Sequence, residues 1–446
     1  MKTNRYMYKT RVLILLLLVS NIAISQVDNL WHSDKDKISI PFDFSNNLII
    51  LDVQINAVNL KVILDTGTEK NILFSFPSND SIELFNPIKT KISGVGSGET
   101  IDALISSNNK LKIREFEDND FTVLILNENN INFISKLGKE VNGIIGYSFF
   151  RDKLIEIDYD RKKIIIHKNR NYLKKRKFRK FSKLKIDLIN NKPYVEINST
   201  FNDKNSPLKL LLDTGLSDGL WVFKNDSLKI PEQFLQDYLG FGLAGEIHGK
   251  RARIEKLQFS NFEFKEVLVA YPDSISFNNI NLIFGRNGSI GGELLKRFHL
   301  FIDYKEELLY LKKNQSYTNL FNYNMSGIEV QHSGIEPIKE EIRLNSASSE
   351  VNAIEYVKNN SEYRYNYRFI LKPTFVVSNV RINSPAANVG LLPEDKIISI
   401  NNRKAYNYTI QKINDLFQSE DGKKIKMEVE REGKIIEVIF YLKKLI

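Results

Sequence analysis

The sequence predicts a mainly β protein in which two related β lobes precede a smaller, β-rich C-terminal domain. Short apolar or alternating runs bounded by Asn, Gly, Asp and Pro recur along the chain, as in residues 48–55 and 121–126. The pattern L-K-x-x-L-D-T-G occurs at residues 60–67 and again at 208–215. From about residue 323 the pattern changes, so we expect a third unit there.

Length and composition allow this organisation and exclude several kinds of site. With 446 residues, of which 42% are hydrophobic, the chain has room for about three domains. It contains no Cys, which excludes disulfides, thiolate metal sites and a Cys nucleophile. The five His residues show no metal-binding spacing, so we expect neither a metal nor another cofactor.

The first 25 residues have the layout of a secretory signal peptide. Four basic residues precede an apolar run at 12–19, and small residues follow at Ala23-Ile24-Ser25. We therefore expect a secreted or periplasmic protein, with an uncleaved membrane anchor as the alternative. No later segment approaches 18 continuous apolar residues, so we expect no stable membrane insertion after cleavage.

The net charge of +10 is concentrated in two places. One is the signal region, and the other is residues 161–185, around KKRKFRK at 174–180. A basic run can bind nucleic acid, but this one lies between the repeated units and lacks the signature of a nucleic-acid module. We interpret residues 173–184 as a solvated connection between two lobes and expect no nucleic-acid partner.

The repeat extends well beyond the D-T-G tripeptide. Glycine-rich segments GVG and GFG begin 29 and 27 residues after the two aspartates, at 94–96 and 240–242. Then GIIG (143–146) and GSIG (288–291) begin 78 and 75 residues after them. Ile-Asp-Tyr follows each at the same offset, placing Asp158 and Asp303, which we interpret as structural turn residues. This order of landmarks predicts duplicated lobes at residues 26–172 and 185–313.

These residues resemble the pepsin-like and retroviral-like aspartic peptidases over roughly residues 38–313. The resemblance implies two β-barrel lobes, each supplying one catalytic aspartate, Asp65 and Asp213. It implies dyad support from the residues that follow them, namely Thr66, Gly67, Thr68, Thr214 and Gly215. It also implies two flap hairpins, at Gly94, Val95 and Gly96 and at Gly240, Phe241 and Gly242. Leu216 departs from the family, which has Ser, Thr or Ala after D-T-G.

Paired aspartates suit peptide hydrolysis by an activated water. Two carboxylates a few ångströms apart share one proton, because ionising both is costly. The charged member can take a proton from water while the protonated member donates to the carbonyl oxygen. A Thr68 hydroxyl on Asp65 would favour its ionised form, and Leu216 offers none to Asp213. We therefore expect Asp213 to hold the shared proton and Asp65 to be the base.

Two other functions remain open on the sequence. The lobes could be a non-catalytic scaffold that binds peptides. Alternatively, GLSDG (215–219) matches the nucleophile pattern G-x-S-x-G, making Ser217 a serine nucleophile with His248 or His299 as base. LWVF follows where a helix should begin, which disfavours this hydrolase. GFGLAG (240–245) matches a dinucleotide fingerprint but lacks a surrounding βαβ unit.

Residues 323–446 resemble a bacterial PDZ domain. The resemblance rests on SPAANVGLLPEDKIISINNRK (384–404), a predicted helix at 409–419 and predicted strands at 424–431 and 434–444. Three positions depart from the usual centre, namely Val389, Glu394 and Asn402. The polar stretch 336–369 is expected to be an insertion or loop.

A PDZ domain binds an extended peptide as an added strand. The resemblance places its carboxylate-binding loop at Ser326, Gly327 and Ile328. We thus expect an aspartic endopeptidase whose partners are a peptide or protein substrate and a peptide ligand of the PDZ domain. Because both aspartates come from one chain, we expect a monomer.

Overall fold

The structure is a computed structural model that describes residues 35–76, 81–96, 98, 100–126, 138–201, 204–224, 228–342 and 366–446. The expected signal peptide, residues 1–25, lies outside the described residues. Within the described ranges, no helix has both the length and the apolar composition needed to cross a membrane.

The first lobe is built on an eight-stranded sheet. Its strands are β2 (Asp43–Ser45), β3 (Leu48–Ile55), β4 (Val58–Leu64), β5 (Ile72–Leu73), β6 (Ile88–Ile92), β7 (Ile101–Ile113), β8 (Phe116–Leu126) and β9 (Gly143–Ile145). Their spatial order is β2-β3-β4-β9-β5-β8-β7-β6. β4 pairs in parallel with β9, so the strand that ends before Asp65 lies inside the sheet.

The second lobe repeats this sheet strand for strand. Its strands are β13 (Asp187–Ile189), β14 (Lys192–Phe201), β15 (Lys204–Leu212), β16 (Leu220–Val222), β17 (Phe234–Gly242), β18 (Gly245–Phe259), β19 (Phe262–Pro272) and β20 (Arg286–Ile290). The order β13-β14-β15-β20-β16-β19-β18-β17 matches that of the first lobe, including the parallel pair β15–β20. The repeated landmarks of the sequence therefore correspond to a repeated topology.

A third sheet joins the lobes. Its strands are β1 (Lys37–Pro41), β10 (Leu154–Asp158), β11 (Lys163–His167), β12 (Ser182–Lys185), β21 (Phe298–Asp303) and β22 (Leu308–Lys313), in the order β1-β11-β10-β21-β22-β12. The central pair, β10 with β21, brings one strand from each lobe together. Short helices α1 (Tyr147–Phe150) and α2 (Gly292–Leu295) follow the second glycine motifs.

The basic connection between the lobes packs against the inter-lobe sheet through its aromatic residues. It forms two 3-10 turns, Arg170–Lys174 and Arg176–Lys180, in which the described basic side chains of the second turn are exposed. Phe178 is buried between the rings of Phe301 and Tyr310. This aromatic contact anchors the connection to the inter-lobe sheet while its charges remain in water.

The C-terminal domain has its own sheet and core. Its elements are β23 (Ile328–Ile342), β24 (Asn366–Val380), α3 (Pro385–Asn388), β25 (Lys396–Ile400), β26 (Arg403–Lys404), α4 (Ile410–Phe417), β27 (Lys424–Arg431) and β28 (Lys434–Tyr441), with the sheet order β23-β24-β25-β27-β28 and β26 beside β25. This domain also has a 3-10 turn at Ala405–Asn407, and the second lobe has one at Ser274–Phe277. The predicted strand 424–431 is confirmed, and the predicted helix begins after Thr409, whose hydroxyl accepts the Lys412 N–H.

The prediction of a loop over residues 336–369 is wrong at both ends. β23 continues to Ile342 and β24 begins at Asn366, with Glu336 opposite Lys372 across the pair. Pairs of side chains directly opposite each other on neighbouring strands can stabilise a polar hairpin that has little buried surface. The polar composition of this stretch therefore did not indicate that its ends form strands. Residues 343–365 lie outside the described residues.

The C-terminal domain packs against both lobes. Its Arg381 guanidinium lies 3.0 Å from Asp237 on β17 of the second lobe. Its Gln411 side-chain oxygen accepts the backbone N–H of Asn46 in the first lobe at 2.8 Å. Leu235, also on β17, belongs to the apolar core of the C-terminal domain. The domain therefore has a defined position beside the second lobe's β17–β18 hairpin.

Candidate active site

Each D-T-G loop begins where a buried apolar strand ends. The backbone N–H of Asp65 donates to the Ile145 carbonyl at 2.9 Å, and that of Asp213 donates to Ile290 at 2.8 Å. The GIIG and GSIG segments thus lie beside the two D-T-G loops, because β9 and β20 pair in parallel with the strands that precede these loops. Both aspartates are delivered to the junction between the lobes by the same local architecture.

The two carboxylates face each other across that junction. The Gly67 N–H donates to Asp65 Oδ1 at 2.6 Å, and the Gly215 N–H donates to Asp213 Oδ1 at 3.0 Å. A Cβ placed on Gly67 would lie 2.6 Å from Asp213 Cγ, and one on Gly215 would overlap the Asp65 carboxylate. Each glycine therefore gives the opposite carboxylate the space it occupies, which a larger residue would fill.

Two threonines join the loops below the carboxylates. The Thr66 hydroxyl donates to the Leu212 carbonyl at 2.6 Å and accepts the Thr214 N–H at 3.0 Å. The Thr214 hydroxyl donates to the Leu64 carbonyl at 2.7 Å and accepts the Thr66 N–H at 3.0 Å. Both side chains are buried, so these four bonds hold the loops in register in a dry environment.

Two hairpins cover the carboxylates. We call β6–β7 the first flap and β17–β18 the second flap. Their tips meet: the Ala244 N–H donates to the Val95 carbonyl at 3.0 Å, and the Gly98 N–H donates to the Ala244 carbonyl at 2.6 Å. Val95 and the predicted flap residues Gly94, Gly240, Phe241 and Gly242 line the cavity of about 990 Å³ that contains both aspartates. Gly96 instead donates to the Ser276 carbonyl at 3.0 Å.

The electrostatic environment favours one proton shared by the two carboxyl groups. Burial, followed by the negative charge of Asp213, raises the pKa of Asp65 well above its usual value. Burial also raises the pKa of Asp213, but the positive charge of Arg286 opposes that rise. The proton belongs to the pair, and Arg286 favours the ionised form of Asp213.

The premise of the expected proton assignment is not met. The Thr68 hydroxyl accepts the Lys70 N–H at 3.2 Å and lies 3.4 Å from the Lys70 carbonyl oxygen, so it is occupied within its own loop. A charge that acts on Asp213 comes instead from Arg286, which donates to Ser289 Oγ at 2.7 Å. Sequence reasoning missed Arg286, although the repeat marks it: the residue two before GSIG is Arg286, whereas two before GIIG it is Val141.

The serine alternative lacks a base in this geometry. His248 Nε2 lies 3.2 Å from Glu246, and His299 Nε2 lies 2.8 Å from Glu156 in the inter-lobe sheet. In the part of the chain described, no hydrogen bond joins either histidine to Ser217. Strand β16 begins at Leu220, where a nucleophile loop would need a helix.

The two Ile-Asp-Tyr aspartates are turn residues, as interpreted. Asp158 Oδ1 accepts the Arg161 N–H at 3.0 Å, and Asp303 Oδ1 accepts the Glu306 N–H at 3.2 Å. Asp303 is also paired with Arg170 at 2.6 Å. Over the described ranges, no group of three or more His, Cys, Asp or Glu residues could hold a metal ion.

The predicted carboxylate-binding loop of the C-terminal domain is internally bonded. The Gly327 N–H donates to Asn324 Oδ1 at 3.2 Å, and the Ile328 N–H donates to Ser326 Oγ at 3.2 Å. Ser326 and Ile328 are buried. A terminal carboxylate would have to displace these acceptors, so a role for this loop stays a prediction.

Comparison with known proteins gives a family match for part of the C-terminal domain and distant structural similarities, among them one to an aspartic proteinase. The PDZ domain family matches residues 376–431, and PDZ domains generally bind peptides or proteins. The crystal structure of an aspartic proteinase from Irpex lacteus is similar with a TM-score of 0.42 and 9% sequence identity, covering 64% of this chain and 100% of that one. No curated protein matches this chain in sequence. The chain is therefore a mainly β protein of two sheet lobes followed by a C-terminal sheet that contains a PDZ match.

Proposed function

We propose that this chain is an aspartic endopeptidase that hydrolyses peptide bonds with Asp65, Asp213 and an activated water. The observation that supports it is the half-buried pair of facing carboxylates, joined through Thr66 and Thr214 and covered by two flaps. Export by the N-terminal segment, and peptide binding by the C-terminal domain, are parts of the same proposal.

Arg286, which favours the ionised form of Asp213, is the basis for the role proposed for each carboxylate. Ionised Asp213 takes a proton from the water, and the water oxygen attacks the peptide carbonyl carbon. At the same time Asp65 donates its proton to the carbonyl oxygen. In the second step Asp213 returns its proton to the leaving nitrogen, Asp65 regains one from the tetrahedral diol, and the C–N bond breaks. The two flaps, whose tips are in contact, would open to admit the peptide and close to exclude water.

Asp65→Asn and Asp213→Asn test the proposal most directly. Either change should lower peptide cleavage by at least about a thousandfold with the fold retained, since general acid–base groups typically contribute factors up to about 10⁴. The double variant should lose little more, because the pair acts as a unit. Cleavage of a peptide library, followed by mass spectrometry, measures this, with circular dichroism as the folding control.

Three results would favour another function. Independent, partial losses in the two single variants would contradict a shared dyad. Complete loss in a folded Ser217→Ala variant would support the serine hydrolase. A wild-type protein that binds peptides without cleaving any, and that ignores transition-state-mimicking aspartic-protease inhibitors, would support the scaffold.

A further inference from the structure

The cavity that contains the two aspartates extends into the C-terminal domain. Its volume of about 990 Å³ is at the upper end of the range for ligand pockets, roughly 300–1,000 Å³. Its walls include Asp65 and Asp213, Leu239 of the second flap, and Val330 on β23 of the C-terminal domain. One continuous space therefore joins the candidate dyad to the C-terminal domain.

Helix α4 gives that space a polar wall. Its apolar side, formed by Ile410, Ile413 and Phe417, is buried in the domain core. Four polar residues line the cavity, namely Gln411, Asn414, Asp415 and Gln418. Their spacing of three and four residues puts them on one side of the helix. Gln411 is already bonded to Asn46 and Asp415, and Asn414 Nδ2 lies 3.5 Å from Asn46 Oδ1. Amide side chains both donate and accept hydrogen bonds, so the Asn414 carbonyl oxygen and the Gln418 amide are suited to the backbone of an extended peptide.

Strand β23 forms another part of the wall of this cavity. It stands at the end of its sheet among the described strands, so one of its edges has no partner strand there. Glu329 and Val330 of this strand line the same cavity as α4. An extended peptide can add to such an edge through main-chain hydrogen bonds. The strand and the helix together enclose a groove that opens toward the dyad.

The groove is held at a fixed place relative to the dyad. Arg381 and Asp237 are each only 7% exposed in their 3.0 Å ion pair, so a buried contact ties the domain to the second flap. The Asn46 N–H bonds Gln411 at the helix start, and Gln233 Nε2 donates to the Leu445 carbonyl at 2.7 Å. These contacts come from both lobes, which distinguishes the domain from one carried on a flexible linker.

We propose that the groove between β23 and α4 is a distal subsite of the substrate cleft, so that one extended peptide lies over the dyad and continues between them. Asn414 and Gln418 bind its distal segment. The inference rests on the proposed peptidase function and specifies its substrate class as extended chains long enough to fill both parts. A short peptide over the dyad alone would not use the groove.

Charge adds a preference at the distal segment. Asp415 lines the groove, and the nearby Arg381 guanidinium is already bonded to Asp237. Burial, followed by the charge of Asp237, raises the pKa of Glu329 to about 7, so Asp415 is the main negative charge there. A lysine or arginine side chain is therefore favoured there over aspartate or glutamate. Because Asp415 is exposed, screening keeps this preference to a few-fold.

The kinetic test compares a cleaved peptide with versions extended separately toward each end. Extension in one direction only should raise kcat/KM, by about tenfold if two hydrogen bonds of about 0.7 kcal/mol are gained. Asn414→Ala and Gln418→Ala should reduce the ratio of long to short kcat/KM toward one. Lys412→Ala, on the exposed side of the same helix, is the matched control and should keep the ratio. Asp415→Asn should reduce the preference for a basic distal residue.

A labelling test decides the inference independently of cleavage. Because the chain has no Cys, Gln418→Cys and Lys412→Cys each supply a single reactive thiol. In an Asp65→Asn background, a long peptide pool should protect the thiol at 418 from alkylation, whereas a short pool should not. Neither pool should protect the thiol at 412.

The outcomes separate the two proposals. If the wild type cleaves no peptide, the proposed function fails, while protection at 418 still supports the groove as a binding site. If peptides are cleaved but extension in either direction leaves kcat/KM and the thiol at 418 unaffected, the distal subsite is wrong and the peptidase proposal stands.

Discussion

The two flaps have corresponding strands in the two lobes but different surroundings. The root of the second flap is bonded to the C-terminal domain through Asp237 and Arg381, and Leu235 is part of that domain's core. On the first flap, next to the last strand pair before its tip, Lys91 and Asp102 form a 3.5 Å pair with 69% and 68% of their side chains exposed. Duplication thus preserved the loops that face the dyad, while the third domain made one half of the cleft more constrained than the other.

The two threonines that join the D-T-G loops are equivalent in the two lobes, and we expect their replacement to have the largest effect on stability. Thr66→Val and Thr214→Val each remove a hydroxyl that serves two buried backbone groups of the opposite loop. Each should lower the free energy of unfolding by about 4 kcal/mol, because an unsatisfied buried group costs about 1–3 kcal/mol. Denaturant titration measures this. Thr→Ser at the same positions keeps the hydroxyl and is the control; clearly unequal losses at the two sites would contradict the symmetry.

In the inter-lobe sheet, the strand from the first lobe carries a buried carboxylate that should make the stability of the protein depend on pH, whereas the strand from the second lobe carries none at the corresponding position. Burial tends to raise the pKa of Glu156, but hydrogen bonds from His167 and His299 outweigh it and lower this pKa from 4.5 to about 2. A lowered folded-state pKa stabilises above the unfolded value, so this contribution is present above pH 4.5 and is lost as pH falls toward about 2. At the corresponding position the second lobe has Phe301, directly opposite Glu156.

That contribution amounts to about 3 kcal/mol for a shift of this size. Urea unfolding of wild type and Glu156→Gln across this pH range should show the two curves converging as pH falls. Parallel curves would mean that Glu156 does not carry the pH dependence. Glu156→Asp keeps the carboxylate and is the control, so its stability should still fall as the pH is lowered.

Separating the flaps from their surroundings should have a moderate effect. Arg381→Ala should destabilise the second flap by about 2 kcal/mol, less than a fully broken buried pair, because Asp237 keeps Arg251 at 2.7 Å. Hydrogen exchange of β17 amides should therefore accelerate. Lys91→Ala on the first flap is the control and should cost below about 0.5 kcal/mol. Similar acceleration in both flaps would show that the C-terminal domain does not constrain one selectively.

The smallest predicted effect concerns the two halves of the dyad. Arg286 opposes the rise in the pKa of Asp213, and the corresponding Val141 has no charge. Arg286→Met should therefore shift the acidic limb of the kcat/KM profile upward by about one pH unit, equivalent to about 1.4 kcal/mol. Arg286→Lys keeps the charge and should shift it less. An unmoved acidic limb in Arg286→Met would remove Arg286 from the proton assignment.

Much of the candidate site was accessible from the sequence because its geometry is local. A buried strand followed by Asp-Thr-Gly determines the direction in which Asp65 leaves the sheet, and the repeat at Asp213 predicts a second such loop. The strand order of the two lobes agrees with that duplication. The C-terminal strand at 424–431 was likewise predicted, because alternation of apolar residues reports directly on a half-buried strand.

Contacts between distant segments were decided only by the tertiary structure. The premise of the proton assignment failed because Thr68 bonds Lys70, two residues away, while the charge of Arg286 acts on Asp213 from another strand. The sequence identified a third domain but not that Arg381 meets Asp237 or that α4 lines the dyad cavity. Periodicity and motifs encode backbone direction and burial, whereas charge and shape in a cleft depend on residues brought together from far along the chain.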